Sequence, residues 1–385
     1  MNDNKPFFGE YRIDPLASAP IRYYSPQLID PHLQIPNYVH AEVAFAESAL
    51  AELRGLLEAA PLLSAATRLA SIQESLDSSR IEGTRATLSE ILLSPTGSLN
   101  VRRDIVEVRN LQAATELGIS LISEVPIGVR VLREMHAKLM SNGIDPSKTP
   151  GEFRKSFVWI GKQGQSLENA ELVPPAASEL PGLLADWERF VNSETRMPAV
   201  YRSAIAHYQF ETIHPFLDGN GRIGRLVAVL MLISEGVLPG QVISLSSLIE
   251  ANREGYYKAL REVRLSGDMA GWVEFWAKML RFSAEAAMST FRKLQGLRES
   301  LLQRVRSPSL RSLVDLTFRY PVVTVPDVTS QLGLAPSSAR ELLRRGVAQG
   351  FINELGPAKS GSKQYWVASQ VWQILTDEVV PGGIR

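Results

Sequence analysis

Residues 214–225, HPFLDGNGRIGR, concentrate side chains whose types and spacing suit chemistry. His214 can accept a proton near neutral pH. Asp218 offers a hard oxygen ligand of the kind that Mg²⁺ takes together with phosphates. Arg222 and Arg225 are three positions apart, so on a helix they lie side by side and can both bind phosphate oxygens. A base, a metal ligand and two arginines this close together predict group transfer on a nucleotide.

A glycine-rich turn, Gly219–Gly221, lies within this segment. Such a turn can direct successive backbone N–H groups into one concavity, which then binds an anion. Ile223, Leu226 and Leu230 follow at helical spacing, so the turn is predicted at a helix N-terminus, where the helix dipole favours phosphate. A helix-capping loop alone would explain the glycines but not the histidine, the aspartate and the two arginines.

The glycines also fit G-x-G-x-x-G, the pattern of dinucleotide-binding folds, between Gly219 and Gly224. That pattern requires a buried strand immediately before the first glycine. Here Tyr201, Ile205 and Tyr208 precede it at helical spacing. The context is therefore helix–loop–helix, and we exclude a dinucleotide-binding fold.

Length and composition bound the class of protein. A chain of 385 residues predicts two or three packed units, and 45% apolar residues are typical of a globular protein. The 41 basic and 41 acidic residues balance, and the absence of cysteine excludes disulfides and thiolate zinc sites. No signal peptide is visible, and the longest apolar run, Leu226–Ile233, is too short to span a bilayer. We expect a soluble cytoplasmic protein without membrane contact.

Several elements must position residues 214–225. Prolines crowd the first forty residues, which predicts an extended arm or a mobile leader. Helical periodicity marks residues 38–60, 65–80 and 103–123, and it dominates again up to about residue 302. Phe157–Ile160 are strand formers followed by Gly161 and Gly164, which predicts a short β-hairpin.

The C-terminal region, about 303–385, has a different pattern. Helices are predicted at 310–318 and 325–333, a third opens at Pro336, and two strands follow around a loop with glycine and lysine. This order resembles a winged helix-turn-helix domain. Arg340, Arg344 and Arg345 on the third helix could face DNA, although a solvated helix face gives the same pattern. DNA and protein therefore both stay open as partners of this region.

Residues 214–225 resemble the motif of the Fic family, HPFx(D/E)GN(G/K)RxxR, at every defined position. The resemblance extends to PGEFR at 150–154 with the strand VWIG, similar to the Fic substrate flap, and to LVPP at 172–175. The segment 251–260, ANREGYYKAL, is similar to the one that lines the nucleotide base. Together the resemblance covers about residues 100–280.

The resemblance implies that the chain transfers AMP from ATP to a Ser, Thr or Tyr hydroxyl of a target protein or of itself, with His214 as the base and Asp218 holding Mg²⁺. The ATP-binding residues it implies are Gly219, Asn220, Gly221, Arg222, Ile223, Gly224, Arg225, Tyr256 and Tyr257. The flap residues that would bind the target as an added strand are Val158, Trp159, Ile160 and Gly161. Family members often dimerise, so a homodimer is a further expectation.

Residues 78–83, SSRIEG, resemble the Fic inhibitory motif, (S/T)xxxE(G/N), which makes Ser78 and Glu82 regulatory candidates. If Glu82 reached Arg225, it would occupy the guanidinium that should hold the γ-phosphate of ATP. The same glutamate could instead orient a water molecule that removes AMP from a modified protein. The sequence leaves both roles open.

The fold predicted from these features is mainly α: a Fic-type helical core with a short β-hairpin flap and a C-terminal winged helix-turn-helix domain. We expect an N-terminal arm and inhibitory helices in residues 1–98, the catalytic core in 99–290 and the winged-helix domain in 303–385. Other transferase outcomes at the same site, and a DNA-binding regulator whose core senses nucleotide, are the alternative functions. His207 is expected to be packed rather than catalytic, and Trp272, Phe275 and Trp276 to be core residues.

Overall fold

A computed structural model describes residues 8–376 except 15–19, 31–32, 34–35, 59–62, 94–101, 142–144, 162–165 and 356–363. Most of them are helical, as predicted. The helices are α1 (Asn37–Glu58), α2 (Leu63–Ile81), α3 (Leu88–Leu93), α4 (Arg103–Ile122), α5 (Val129–Leu139), α6 (Leu180–Val191), α7 (Ala199–Ile213), α8 (Asn220–Ser234), α9 (Leu245–Ala251), α10 (Arg253–Ser266), α11 (Met269–Arg304), α12 (Pro308–Arg319), α13 (Val325–Leu332), α14 (Pro336–Ala348) and α15 (Ser369–Thr376). The strands are β1 (Gly9–Asp14), β2 (Ile21–Pro26), β3 (Val322–Val323), β4 (Asn353–Leu355) and β5 (Tyr365–Val367).

Helices α7 and α8 form the centre of the molecule, and both are buried along nearly their whole length. The long helix α11 packs against α7, where the indole N–H groups of Trp272 and Trp276 donate to Ala204 O at 2.8 Å and to Ser203 Oγ at 3.0 Å. Both tryptophans are buried, as predicted, whereas Phe275 is only partly buried. A helix surrounded by apolar side chains can only be a core helix, and this fixes where the segment between α7 and α8 lies.

The N-terminal arm contains two strands that the sequence analysis did not predict. β1 and β2 pair antiparallel, with Gly9 opposite Pro26. Tyr24 N donates to Val173 O at 2.9 Å, and the Tyr23 ring lies 5.6 Å from that of Phe157. The arm therefore lies on the region predicted to be the flap. Pro15 and Pro31 lie outside the described residues.

In the described part of the predicted flap hairpin, pairing consists of one antiparallel bridge, between Ile160 and Leu172. The predicted turn at Gly164 lies outside the described residues. A short 3₁₀ turn at Leu167–Asn169 precedes Leu172 on the return arm.

The C-terminal region begins on α11, which runs without a break through the predicted core boundary at residue 290. Helices α12 to α14 match the three predicted helices, and Gly333 ends α13 in a left-handed conformation. The sheet order is β3-β5-β4, with β3 and the final helix α15 unpredicted. This element order supports a winged helix, which stays a prediction, and the glycine- and lysine-bearing loop lies outside the described residues.

Within the described ranges, no helix combines the length and the apolar character that a membrane span requires.

The packing of α1 on α11 gives a test of the core. Leu50 on α1 is fully buried, so Leu50→Ala should lower the free energy of unfolding by about 2–5 kcal/mol. Phe45→Ala on the same helix is the matched control, because Phe45 is 60% exposed and its loss should change stability by less than about 0.5 kcal/mol. Urea denaturation measures both. Equal losses for the two variants would contradict this packing.

Candidate active site

His214 ends α7 in a left-handed conformation, with φ at 49°. This conformation is uncommon for a residue with a side chain and lets the chain leave the helix sharply. His214 Nδ1 lies 3.3 Å from the carbonyl oxygen of Glu211, which favours a proton on Nδ1 and leaves Nε2 free to accept one. Burial, and next the nearby charge of Arg154, lower the pKa of His214 to about 4. At pH 7 the imidazole is therefore neutral, as a base must be.

The loop after His214 is closed by a reciprocal pair of hydrogen bonds. Phe216 N donates to Asn220 Oδ1 at 2.8 Å, and Asn220 Nδ2 donates to Phe216 O at 2.9 Å. Both side chains are buried. The Asn220 side chain is thus occupied in holding the loop, so its predicted part in phosphate binding is left to its backbone.

His136 on α5 also contacts this loop, and the sequence did not identify it as a site residue. Its ring stacks on Phe216 at 3.8 Å between centroids. Gly151 N donates to His136 Nδ1 at 2.9 Å, so Nε2 carries the proton and donates to Asp218 O at 3.1 Å. Burial lowers the pKa of His136 to about 4, which keeps it neutral. Its position on the buried face of α5 was the only sequence signal, and a core histidine gives the same signal.

Helix α8 begins at Asn220, after Gly219 with φ at 77°, so the predicted turn does lie at a helix N-terminus. Arg222 and Arg225 are both buried on its first turns. Ile223 and Gly224 face the interior instead. Ile223 is fully buried, and a Cβ at Gly224 would lie 2.3 Å from Glu211 Oε1. We therefore assign these two of the predicted ATP-binding residues to the packing of α8 on α7.

Asp218 is suited to hold a magnesium ion. Its side chain is 42% exposed; Oδ1 accepts from Gly219 N at 2.6 Å and lies 3.4 Å from Arg222 Nη2, and Oδ2 lies 3.8 Å from Lys148 Nζ. The described residues contain no cluster of three or more metal-ligating side chains. One half-exposed carboxylate fits Mg²⁺, which takes most of its ligands from water and substrate phosphates.

Arg225 is paired with the predicted inhibitory segment at the end of α2. Its Nη2 lies 2.9 Å from Glu82 Oε1 and 3.0 Å from Ser78 O, and its Nε donates to Ser78 Oγ at 3.0 Å. Burial by itself would raise the pKa of Glu82, but the charge and hydrogen bond of Arg225 together with the charge of Arg222 hold that pKa below its usual value. The predicted contact between Glu82 and Arg225 is therefore present and charged at neutral pH.

Gly221 leaves the space that Glu82 occupies. A Cβ at this position would lie 2.6 Å from Glu82 Oε1 and 2.9 Å from Arg225 Nη1. Any side chain at residue 221 would therefore displace the carboxylate. Glycine at residue 221 therefore permits the contact between Glu82 and Arg225.

The two tyrosines proposed for the nucleotide base lie in different environments. Tyr256 is buried, and its hydroxyl lies 2.8 Å from His207 Nε2, in a cluster with Trp272 and Trp276. His207 is thus packed, as expected, and Tyr256 cannot face a ligand. Tyr257 is 42% exposed and close enough to Glu82 for that charge to raise its pKa, after burial. Of the pair, only Tyr257 can contact an adenine.

The flap residues Val158 to Gly161 are partly or fully exposed beside the His214 loop, and Trp159 is 47% exposed. Arg154, just before them, is buried and donates from Nε to His214 O at 2.8 Å. In the sequence, Arg154 belongs to the segment PGEFR, and no role was assigned to it there. An arginine before an exposed strand carries no sign that it is buried.

The closed loop between α7 and α8 gives a stability prediction. Asn220→Ala leaves two buried backbone groups of Phe216 without partners, which should cost about 1–3 kcal/mol in the free energy of unfolding. Asn169→Ala is the control, because Asn169 is exposed and its loss should cost less than about 0.5 kcal/mol. Thermal and urea unfolding measure both, and an unchanged Asn220→Ala protein would contradict the closure.

Comparison with known proteins agrees with this geometry. Residues 126–232 match the Fic/DOC family, and residues 40–120 match the N-terminal region of that family. The first match contains His214 and most of α8, and the second contains Ser78 and Glu82. The segments that resemble the Fic catalytic and inhibitory motifs therefore fall in the two regions that the family models describe.

Relatives and solved structures extend the match. A protein named protein adenylyltransferase Fic from Drosophila erecta is 30% identical over 238 residues, which cover 58% of this chain and 43% of the relative. A protein of the same name from Drosophila melanogaster is 30% identical over 210 residues, which cover 51% of this chain and 38% of the relative. This chain thus spans less than half the length of these relatives.

A Fic family protein from Desulfovibrio desulfuricans G20 superposes with a TM-score of 0.57 at 26% identity, covering 88% of this chain and 98% of that one. Fic-1 from C. elegans, at 23% identity and a TM-score of 0.52 over 66% and 74% of the two chains, shares the fold. The chain belongs to the Fic/DOC family.

Proposed function

We propose that this chain is a protein adenylyltransferase that moves AMP from ATP to a hydroxyl of a target protein or of itself. The observation that carries the proposal is the arrangement of residues 214–225. A neutral base, His214, is held at the end of α7 beside the start of α8, where Arg225 lies buried. The names of the relatives from Drosophila support the same reaction.

In this reaction His214 Nε2 accepts the proton of the target hydroxyl as its oxygen attacks the α-phosphorus of ATP. A new O–P bond forms, and the bond from the α-phosphorus to the oxygen that bridges it to the β-phosphorus breaks. Pyrophosphate leaves, and AMP stays on the target. Because the pKa of His214 is lowered, the base is ready at neutral pH without a second group to deprotonate it.

The start of α8 binds the phosphates through its free N–H groups, with Arg222 and Arg225 as counter-charges. Asp218 would hold Mg²⁺, which neutralises phosphate charge when bound. The exposed flap residue Trp159 and its neighbours would pair with the target backbone as an added strand and bring its hydroxyl towards His214.

Glu82 makes this activity conditional. While its carboxylate binds Arg225 Nη2, that nitrogen cannot also bind a γ-phosphate, so ATP binds in an unproductive position. We further propose that the chain is cytoplasmic and forms a homodimer. A second role for Glu82 is favoured by its 38% side-chain exposure, which lets it orient a water molecule for removal of AMP.

Labelled ATP tests this function on the full chain. Glu82→Gly should raise AMP incorporation by about 5- to 150-fold, the range expected when a coupling of 1–3 kcal/mol is removed. Adding His214→Ala to that variant should abolish the label. Glu52→Gly on α1 is the matched control, since Glu52 is an exposed glutamate paired with Arg292. Label that survives without His214 would overturn the mechanism, and loss of AMP that needs Glu82 would favour removal.

A DNA-binding regulator is the second candidate, because Arg340, Arg344 and Arg345 are exposed on α14. If DNA binds there, a gel shift by the full chain should weaken strongly between 50 and 200 mM salt, as phosphate contacts require. Substituting the three arginines with glutamine should abolish the shift. A shift that persists in that variant, or no shift at low salt, would remove this candidate.

A further inference from the structure

Arg154 lies between α5 and the flap, and its side chain is buried with 2% exposure. Its hydrogen bonds all go to backbone carbonyl oxygens: from Nε to His214 at 2.8 Å, from Nη1 to Ser156 at 3.0 Å, and from Nη2 to Pro175 at 2.6 Å and Ile213 at 3.2 Å. Its own N–H donates to Pro215 O at 2.9 Å. One side chain thus uses three guanidinium nitrogens on four carbonyl groups.

These carbonyl groups belong to three separate stretches of chain. Ile213, His214 and Pro215 form the start of the catalytic loop, Ser156 lies on the outgoing arm of the flap, and Pro175 on its return arm. Among the described residues of the flap, the bridge between Ile160 and Leu172 is the pairing that joins the two arms. The Arg154 guanidinium therefore sets the distance between the flap and the base.

Burial of the Arg154 charge is energetically unfavourable, and filling space in the core does not require a charged side chain. Burying a cation without a carboxylate partner is unfavourable, and burial lowers the pKa of Arg154 to about 10, which still leaves it charged at pH 7. A planar fork with fixed donor directions can hold four carbonyl oxygens at once, whereas the single ammonium of lysine cannot. The geometry therefore needs an arginine.

We propose that Arg154 is a positioning residue, which locks the flap to the His214 loop so that the acceptor hydroxyl and the base stay aligned. This inference rests on the proposed function, in which the flap holds the acceptor. It adds that the alignment depends on one side chain outside the motif 214–225.

The same cation acts on the charge of His214. Around the imidazole, Arg154 disfavours protonation, while the carboxylates of Glu82 and Asp218 favour it, and burial disfavours it most. Loss of Arg154 therefore removes one influence that keeps the base neutral. A merely structural arginine would not change the titration of His214.

The test compares Arg154→Lys and Arg154→Met with Arg202→Lys in the full chain. Arg202 is the matched control, a buried arginine on α7 that donates to Val191 O at 2.5 Å away from the flap. Hydrogen exchange of the bridging amides of Ile160 and Leu172 should accelerate at least tenfold in both Arg154 variants and not in the control. NMR titration should give a higher His214 pKa in Arg154→Met than in the wild type.

These readouts need no transfer of AMP, so they separate this inference from the proposed function. In the Glu82→Gly background, Arg154→Lys should also lower AMP incorporation by about 10- to 100-fold, the scale of a misplacement near 1 Å. Unchanged exchange in folded Arg154→Lys, equal acceleration in the control, or an unchanged His214 pKa in Arg154→Met would overturn the proposal. Absence of AMP transfer with the exchange effect intact would overturn the function alone. If Arg154→Met does not fold, the hydrogen-exchange rates of Arg154→Lys still test the proposal.

Discussion

The buried charge of Arg225 is the constraint on which the rest of the site depends. Its guanidinium is 1% exposed, and a cation that far from water is costly to bury unless other groups compensate its charge and its lost hydration. Ser78 and Glu82 supply the partners, and both lie at the end of α2. The same arginine lies on the first turns of α8, so one residue ties the end of α2 to the start of α8.

Helix α2 is held in place from another side as well. Glu74 accepts from Ser246 N at 2.9 Å, and Asp77 accepts from the hydroxyl of Ser247, so α2 is bonded to the start of α9. Glu82 is therefore not on a loose tail. It approaches Arg225 from a helix fixed by its own polar contacts, which suits a contact that persists until a ligand or a partner competes for it.

Much of the site could be predicted because its residues are adjacent in sequence. The helix start at Asn220 follows from glycines and helical periodicity, and the contact of Glu82 with Arg225 from the inhibitory motif. Residue type alone did not separate Tyr256 from Tyr257, because which tyrosine of the pair is buried depends on the packing of α10 against Trp272.

The omissions have a common physical cause. His136 and Arg154 act through backbone carbonyl groups and amides that lie far from them in sequence, and such partners leave no pattern of residue types. The strands β1 and β2 were missed because prolines border them and because neither alternates between buried and exposed residues. Ile223 and Gly224 were assigned to ATP binding because they lie within the motif. On a helix, however, only some residues of a motif can face a ligand, and these two face the interior.

The central claim is that Glu82 occupies the guanidinium that a γ-phosphate requires. Calorimetric titration of ATP and of ADP into the wild type and into Glu82→Gln, in the presence of Mg²⁺, measures this directly. We expect ATP and ADP to bind the wild type with similar affinity, and Glu82→Gln to bind ATP more tightly while its affinity for ADP changes little. An ATP-to-ADP affinity ratio that is the same in both proteins would contradict it.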